Sequence, residues 1–169
     1  MKRLLALALA VVMICAFLCA CGNSSGSGSS VTTTVSEKYD DGYAASYASS
    51  TSKDADGNVV YEFSGDQYDE FLNDHKNSLS ADIQHDLASK HEKNFGEFAY
   101  INADKQAVIV GLHQDEYDEE SAKAESASVA EYGFKYFQNL QTPVDTIHVM
   151  YCDANDQNVV FGSFDYTAE

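Results

Sequence analysis

Asn102-Ala103-Asp104-Lys105-Gln106-Ala107-Val108-Ile109-Val110-Gly111-Leu112 is the stretch whose reading decides the fold. It opens with hairpin-turn chemistry, because Asn and Asp side chains bond their own backbone two residues on. Val108-Ile109-Val110 then runs apolar on both faces, which marks a central strand. Glu97 to Ile101 precedes the turn and is predicted to pair with Ala107 to Leu112 as a hairpin.

Two other turns have the same character. Asp54-Ala55-Asp56-Gly57-Asn58 leads into Val59-Val60-Tyr61-Glu62-Phe63, and Asp153-Ala154-Asn155-Asp156-Gln157 joins Val144 to Cys152 with Asn158 to Tyr166. Each turn is followed by an apolar run, so the chain carries a weak internal repeat. Duplication and the shared demands of hairpin turns both account for it. Val31-Thr32-Thr33-Thr34-Val35 adds a β-branched segment upstream, which Tyr43 and Tyr47 could extend.

The repeats are separated by helical patterns. From Ser64 to Lys90, Phe71, Leu72, Leu79, Ile83 and Leu87 recur at three- and four-residue spacing. Ser64 or Asp66 can cap this helix, and Asp66, Asp69 and Glu70 favour its N-terminal dipole. Its end is expected around Asn94-Phe95-Gly96. A second helix is expected from about Asp115 to Leu140, with Ala122, Val129, Tyr132, Gly133, Tyr136, Phe137 and Leu140 on its core face. Pro143 prevents its extension. The expected class is α+β: a mainly antiparallel sheet of about six strands, ordered hairpin-helix-hairpin-helix-hairpin, with two helices on one face.

The start of the chain has a different character. Lys2 and Arg3 precede an unbroken apolar run from Leu4 to Leu18. This is shorter than the ~20 residues of a membrane span and fits the core of an export signal. The run ends in Leu18-Cys19-Ala20-Cys21, which resembles the lipobox of bacterial lipoproteins. That resemblance implies cleavage before Cys21 and a diacylglycerol on its sulfur. Gly22-Asn23-Ser24-Ser25-Gly26-Ser27-Gly28-Ser29-Ser30 follows as a flexible tether. The expected organisation is a signal peptide over 1–20, a lipidated Cys and tether over 21–30, and one acidic domain over 31–169. The expected location is the cell membrane, lipid-anchored and facing outside the cytoplasm.

The whole chain has 10 Lys and Arg against 27 Asp and Glu, a net charge of −17. Without Lys2 and Arg3 the balance is 8 against 27, or −19. Such a surface opposes nucleic acid, whose affinity comes mainly from neutralised phosphates. It also opposes an electrostatic grip on anionic lipid, so a lipid chain would have to supply the anchor. A cationic partner or a metal ion is compatible with the charge; solubility alone also explains it. Cys152 is the one cysteine beyond position 21. The domain is therefore expected to hold together without an internal disulfide, with Cys152 as a small buried hydrophobe.

The candidate chemistry is sparse. Asp82, His85 and Asp86 lie within one helical turn, but His85 and His91 are poorly spaced to share a metal, and zinc-type Cys/His pairs are absent. His75 falls on the apolar helix face and reads as a packed histidine. Asp54 to Asn58 has the start of a calcium loop, yet Gly65 stands where the bidentate Glu would be. No Gly-rich phosphate loop with a following Lys occurs. His113 and His148 complete the five histidines, and His148 and Cys152 share a strand face too far apart for contact. Tyr39, Tyr43, Tyr47, Tyr61, Tyr68, Tyr117, Tyr151 and Tyr166 fit sheet filling or a binding surface. No catalytic residue, metal or cofactor is expected. The expected role is a non-enzymatic domain that binds a protein, peptide or envelope component. The alternatives are an acidic inhibitor of a cationic extracellular enzyme or peptide, and an enzyme whose site has no known motif.

Overall fold

The computed structural model describes residues 29–90 and 97–168. The leader, Cys21, most of the tether and the Asn94-Phe95-Gly96 helix stop lie outside them.

The described elements are β1 (Ser30–Val35), β2 (Ser50–Lys53), β3 (Val59–Ser64), α1 (Gly65–Lys90), β4 (Phe98–Asn102), β5 (Ala107–Leu112), α2 (Glu119–Phe137), β6 (Thr146–Asp153) and β7 (Val160–Thr167). The three turns read from sequence close antiparallel hairpins between β2 and β3, β4 and β5, and β6 and β7. In the first, the Asp54 carboxylate accepts from Asp56 N–H and Asn58 N–H, each at 2.9 Å. That bonding is the work of a turn residue.

The class is α+β, but the strands do not form one antiparallel sheet. They divide into a three-stranded sheet ordered β1-β3-β2 and a four-stranded sheet ordered β4-β5-β6-β7. Moreover, β5 and β6 pair parallel, Val108 opposite Val149 and Val110 opposite Tyr151. The cause is α2, which carries the chain back to the starting end of the sheet, as a βαβ crossover does. Every residue of β5 is buried, as its apolar run required of a central strand.

Local chemistry explains the helix ends. At α1, Ser64 Oγ accepts from Gln67 N–H at 3.4 Å, while Gln67 Oε1 accepts from Ser64 N–H at 3.2 Å. This is the reciprocal capping-box arrangement. The second helix starts later than its acidic run suggested. Gln114–Glu116 forms a separate 3-10 turn, Tyr117 is extended, and Asp118 caps α2 by accepting from Ser121 N–H at 2.9 Å. Tyr43 and Tyr47 do not extend β1. Gly42 turns the chain at φ 75°, and Tyr43–Ser46 is a 3-10 turn.

One core joins all of this. Val31, Val35, Tyr61 and Phe63 from the small sheet meet Phe71, Leu79, Ile83 and Leu87 of α1. Ile101, Val108, Val110, Val149 and Tyr151 present one face of the large sheet to the same core, where Val129, Phe134 and Phe137 of α2 pack. α2 lies close to the sheet at Gly133, where a Cβ would fall 2.6 Å from Ile147 Cδ1 and 3.0 Å from Val108 Cγ2.

Candidate functional site

β4 is an edge strand held against α1 by Ser80. The Ser80 hydroxyl donates to Lys76 O at 2.7 Å and accepts from Ile101 N–H at 3.1 Å. Where β4 ends, Asn102 Oδ1 accepts from Lys105 N–H at 3.0 Å and shapes the turn. An open cleft of about 440 Å³ lies between helix and turn. Its walls carry Lys76, Asn77 and Ser80 from α1, and Tyr100, Asn102 and Asp104 from β4 and the turn. This volume is within the range of small-molecule sites. Tyr100 is fixed in place, since its hydroxyl donates to Gln157 Oε1 at 2.8 Å on the β6–β7 turn. Both hydrogen-bonding roles of Ser80 are spent on the protein. Lys76 Nζ and the Asp104 carboxylate take part in no ion pair or side-chain hydrogen bond among the described residues.

Tyr100 also belongs to the outer face of the large sheet. There Phe98 and Tyr100 pack at 5.9 Å between ring centroids, over a small cluster of Ala107, Ile109 and Cys152, with Met150 beside them. The Phe98 ring lies over Gly111, where any Cβ would fall 2.1 Å from Phe98 Cζ. Cys152 is buried in this cluster, and its thiol donates to Val110 O at 3.7 Å. Burial raises its pKa above the ordinary thiol value, which favours the inert thiol form.

Neither a family model, nor a curated protein, nor a solved structure matches this chain. The site must therefore be read from its own chemistry.

The histidines singled out in the sequence are dispersed. His75 is fully buried, between the rings of Tyr43 at 4.9 Å and Phe71 at 5.2 Å, with Nε2 2.9 Å from Asp41 Oδ2. It is a packed histidine. His85 is exposed on α1, and its neighbour Asp86 accepts a hydrogen bond from the Tyr132 hydroxyl. His91 lies outside the described residues. His113 Nε2 lies 3.0 Å from Glu97 Oε1, and His148 Nδ1 lies 2.7 Å from Asp165 Oδ1 on the outer sheet face. Among the described residues, no group of three or more His, Cys, Asp or Glu could hold a metal ion. No described helix is long and apolar enough to cross a membrane.

The tyrosines mainly fill the interior. Tyr39, Tyr61, Tyr68 and Tyr151 are buried, and Tyr43, Tyr47, Tyr117 and Tyr166 pack against the core half-buried. Several hydroxyls end on carboxylates: Tyr47 on Asp74 and Tyr61 on Asp40, both at 2.8 Å. Such pairs spend part of the acidic surplus on holding the loop over 36–49 to the body.

Sequence reading missed the cleft. Asn102 and Asp104 registered as turn residues, and Lys76 registered not at all. The available signal was the scarcity of bases, which makes a lysine beside the apolar face of α1 notable.

Proposed function

We propose that this protein is a membrane-anchored extracytoplasmic lipoprotein, lipidated at Cys21, whose folded domain is a non-enzymatic binding module. The observation that carries this reading is Leu18-Cys19-Ala20-Cys21, placed between an apolar leader and a Gly/Ser tether. Two acyl chains give stable attachment where one gives marginal binding. The tether lets a compact domain work above the bilayer surface. The open cleft beside Tyr100 is the natural place for a ligand.

The test is expression in a bacterial host, wild type against Cys21→Ala, with intact mass and membrane partition as readouts. The expected wild type loses residues 1–20, gains the mass of a lipid and partitions to membrane, while the variant does none of these. Two soluble, unlipidated chains would sink the anchor.

The net charge of −17 favours a second reading, an inhibitor of a cationic extracellular enzyme or peptide. Charge complementarity would speed its encounter with a basic target, and the association rate would fall with added salt. A rate indifferent to salt would count against it.

A further inference from the structure

We infer that the cleft between α1 and the β4–β5 turn binds a small zwitterion, an amino acid or the free ends of a short peptide. The ligand carboxylate would sit on Lys76 and its ammonium on Asp104. This deepens the binding-module reading and rests on it.

The argument begins with charge. Bases are scarce in this chain, and three of them are engaged on the protein itself: Lys53 pairs with Glu37 at 2.8 Å, and Lys38 and Lys135 lie over the rings of Tyr39 and Tyr132. Lys76 instead lines a cleft that also carries Asp104, and the two are not within ion-pair distance of one another. Unlike charges in one concavity, each without a partner among the described residues, are complementary to a ligand that carries both signs. A simple anion would meet Asp104 and the strongly negative field of the whole domain. A simple cation would find carboxylates anywhere on this surface and would gain nothing from Lys76. A zwitterion adds no net charge and uses both groups.

The neutral groups fit the same assignment. Asn102 spends its carbonyl oxygen on Lys105 N–H, which leaves the amide N–H donors for a carboxylate. Asn77 lines the same wall with a donor and an acceptor. Ser80 contributes no free donor. Tyr100 borders the same cleft, its hydroxyl held by Gln157.

The experiment is calorimetric titration of the mature protein, as recovered from the expressing host, with each common L-amino acid and with alanyl-alanine. N-acetylalanine, alaninamide, succinate and putrescine serve as probes that lack one charge or carry one sign only. At least one free zwitterion is expected to bind, and its N-blocked or C-blocked form to bind at least about tenfold more weakly. Lys76→Met and Asp104→Asn, both at solvent-accessible positions, should each weaken binding about tenfold while leaving the thermal melt unchanged. Blocked forms that bind as well as free ones would overturn the inference, as would a folded wild type that binds no zwitterion at millimolar concentration. The mass and partition test reads the anchor separately, so failure of one is not failure of the other.

Discussion

His75 Nε2 lies 2.9 Å from Asp41 Oδ2, tying the middle of α1 to the loop that leaves the small sheet. The imidazole is fully buried, whereas the carboxylate is about a quarter exposed. Burial alone would raise the Asp41 pKa. The hydrogen bond and charge of His75, helped by Tyr43 N–H and Lys135, outweigh it and hold the carboxyl below its ordinary 3.8. A carboxylate with a depressed folded pKa contributes stability above its unfolded pKa and loses it as pH falls through the folded one. Asp41→Asn should therefore cost about 1 kcal/mol at neutral pH. The gap between wild type and variant should close below about pH 4. Urea unfolding at several pH values checks this, and a gap that persists in strong acid would refute it.

Tyr68 is a buried brace between α1 and the chain leaving α2. Its hydroxyl donates to Asn139 O at 3.1 Å and accepts from Gln141 N–H at 2.9 Å. Tyr68→Phe keeps the ring but leaves both backbone groups without this partner. The expected loss is about 1–3 kcal/mol in chemical denaturation, because an unsatisfied buried group keeps its full desolvation penalty. A loss below a few tenths would mean that water replaces the hydroxyl.

Alkaline pH should unfold the protein through its tyrosines. Burial pushes Tyr68 up to about 12, and burial with the Asp86 hydrogen bond does the same for Tyr132. The unfolded chain releases these protons near the ordinary value of 10. The stability they contribute is therefore full below that value and falls as pH rises towards 12. Tyrosinate absorbance should appear together with loss of helical circular dichroism. Ionisation near pH 10 of all tyrosines in a still-folded protein would contradict this.

Gly111 is required by Phe98. The strand residues are direct partners, and the ring occupies the space a side chain would take. Gly111→Val should displace the ring and destabilise the domain by about 1–3 kcal/mol. Combined with Phe98→Ala, the second substitution should cost less than it does alone, because one contact is then lost only once. Strict additivity would show that the ring packs independently of Gly111.

Cys152 should resist thiol reagents in the folded protein. It is 1% exposed, and burial holds the thiol protonated. Labelling of Cys152, located by peptide mass, should begin only with unfolding and follow the denaturation curve. Rapid labelling under native conditions would place the sulfur at the surface.

The sequence by itself determined the elements whose causes are local. Asp54, Asn102 and Asp153 each open a turn because short polar side chains bond nearby backbone. Ser64 and Gln67 start a helix because they cap it, and Val108-Ile109-Val110 is a central strand because both of its faces are apolar. Only the tertiary structure decided that the strands divide into two sheets and that β5 lies parallel to β6. Those pairings join segments separated by whole helices, and their energy comes from packing that no short window contains. Tyr43 and Tyr47 illustrate the point: their residue types suit a strand, yet they pack from a turn against His75 and Phe71. The cleft has the same origin. Lys76 and Asp104 share it because Ser80 fastens an edge strand to a helix, and no spacing along the chain encodes that juxtaposition.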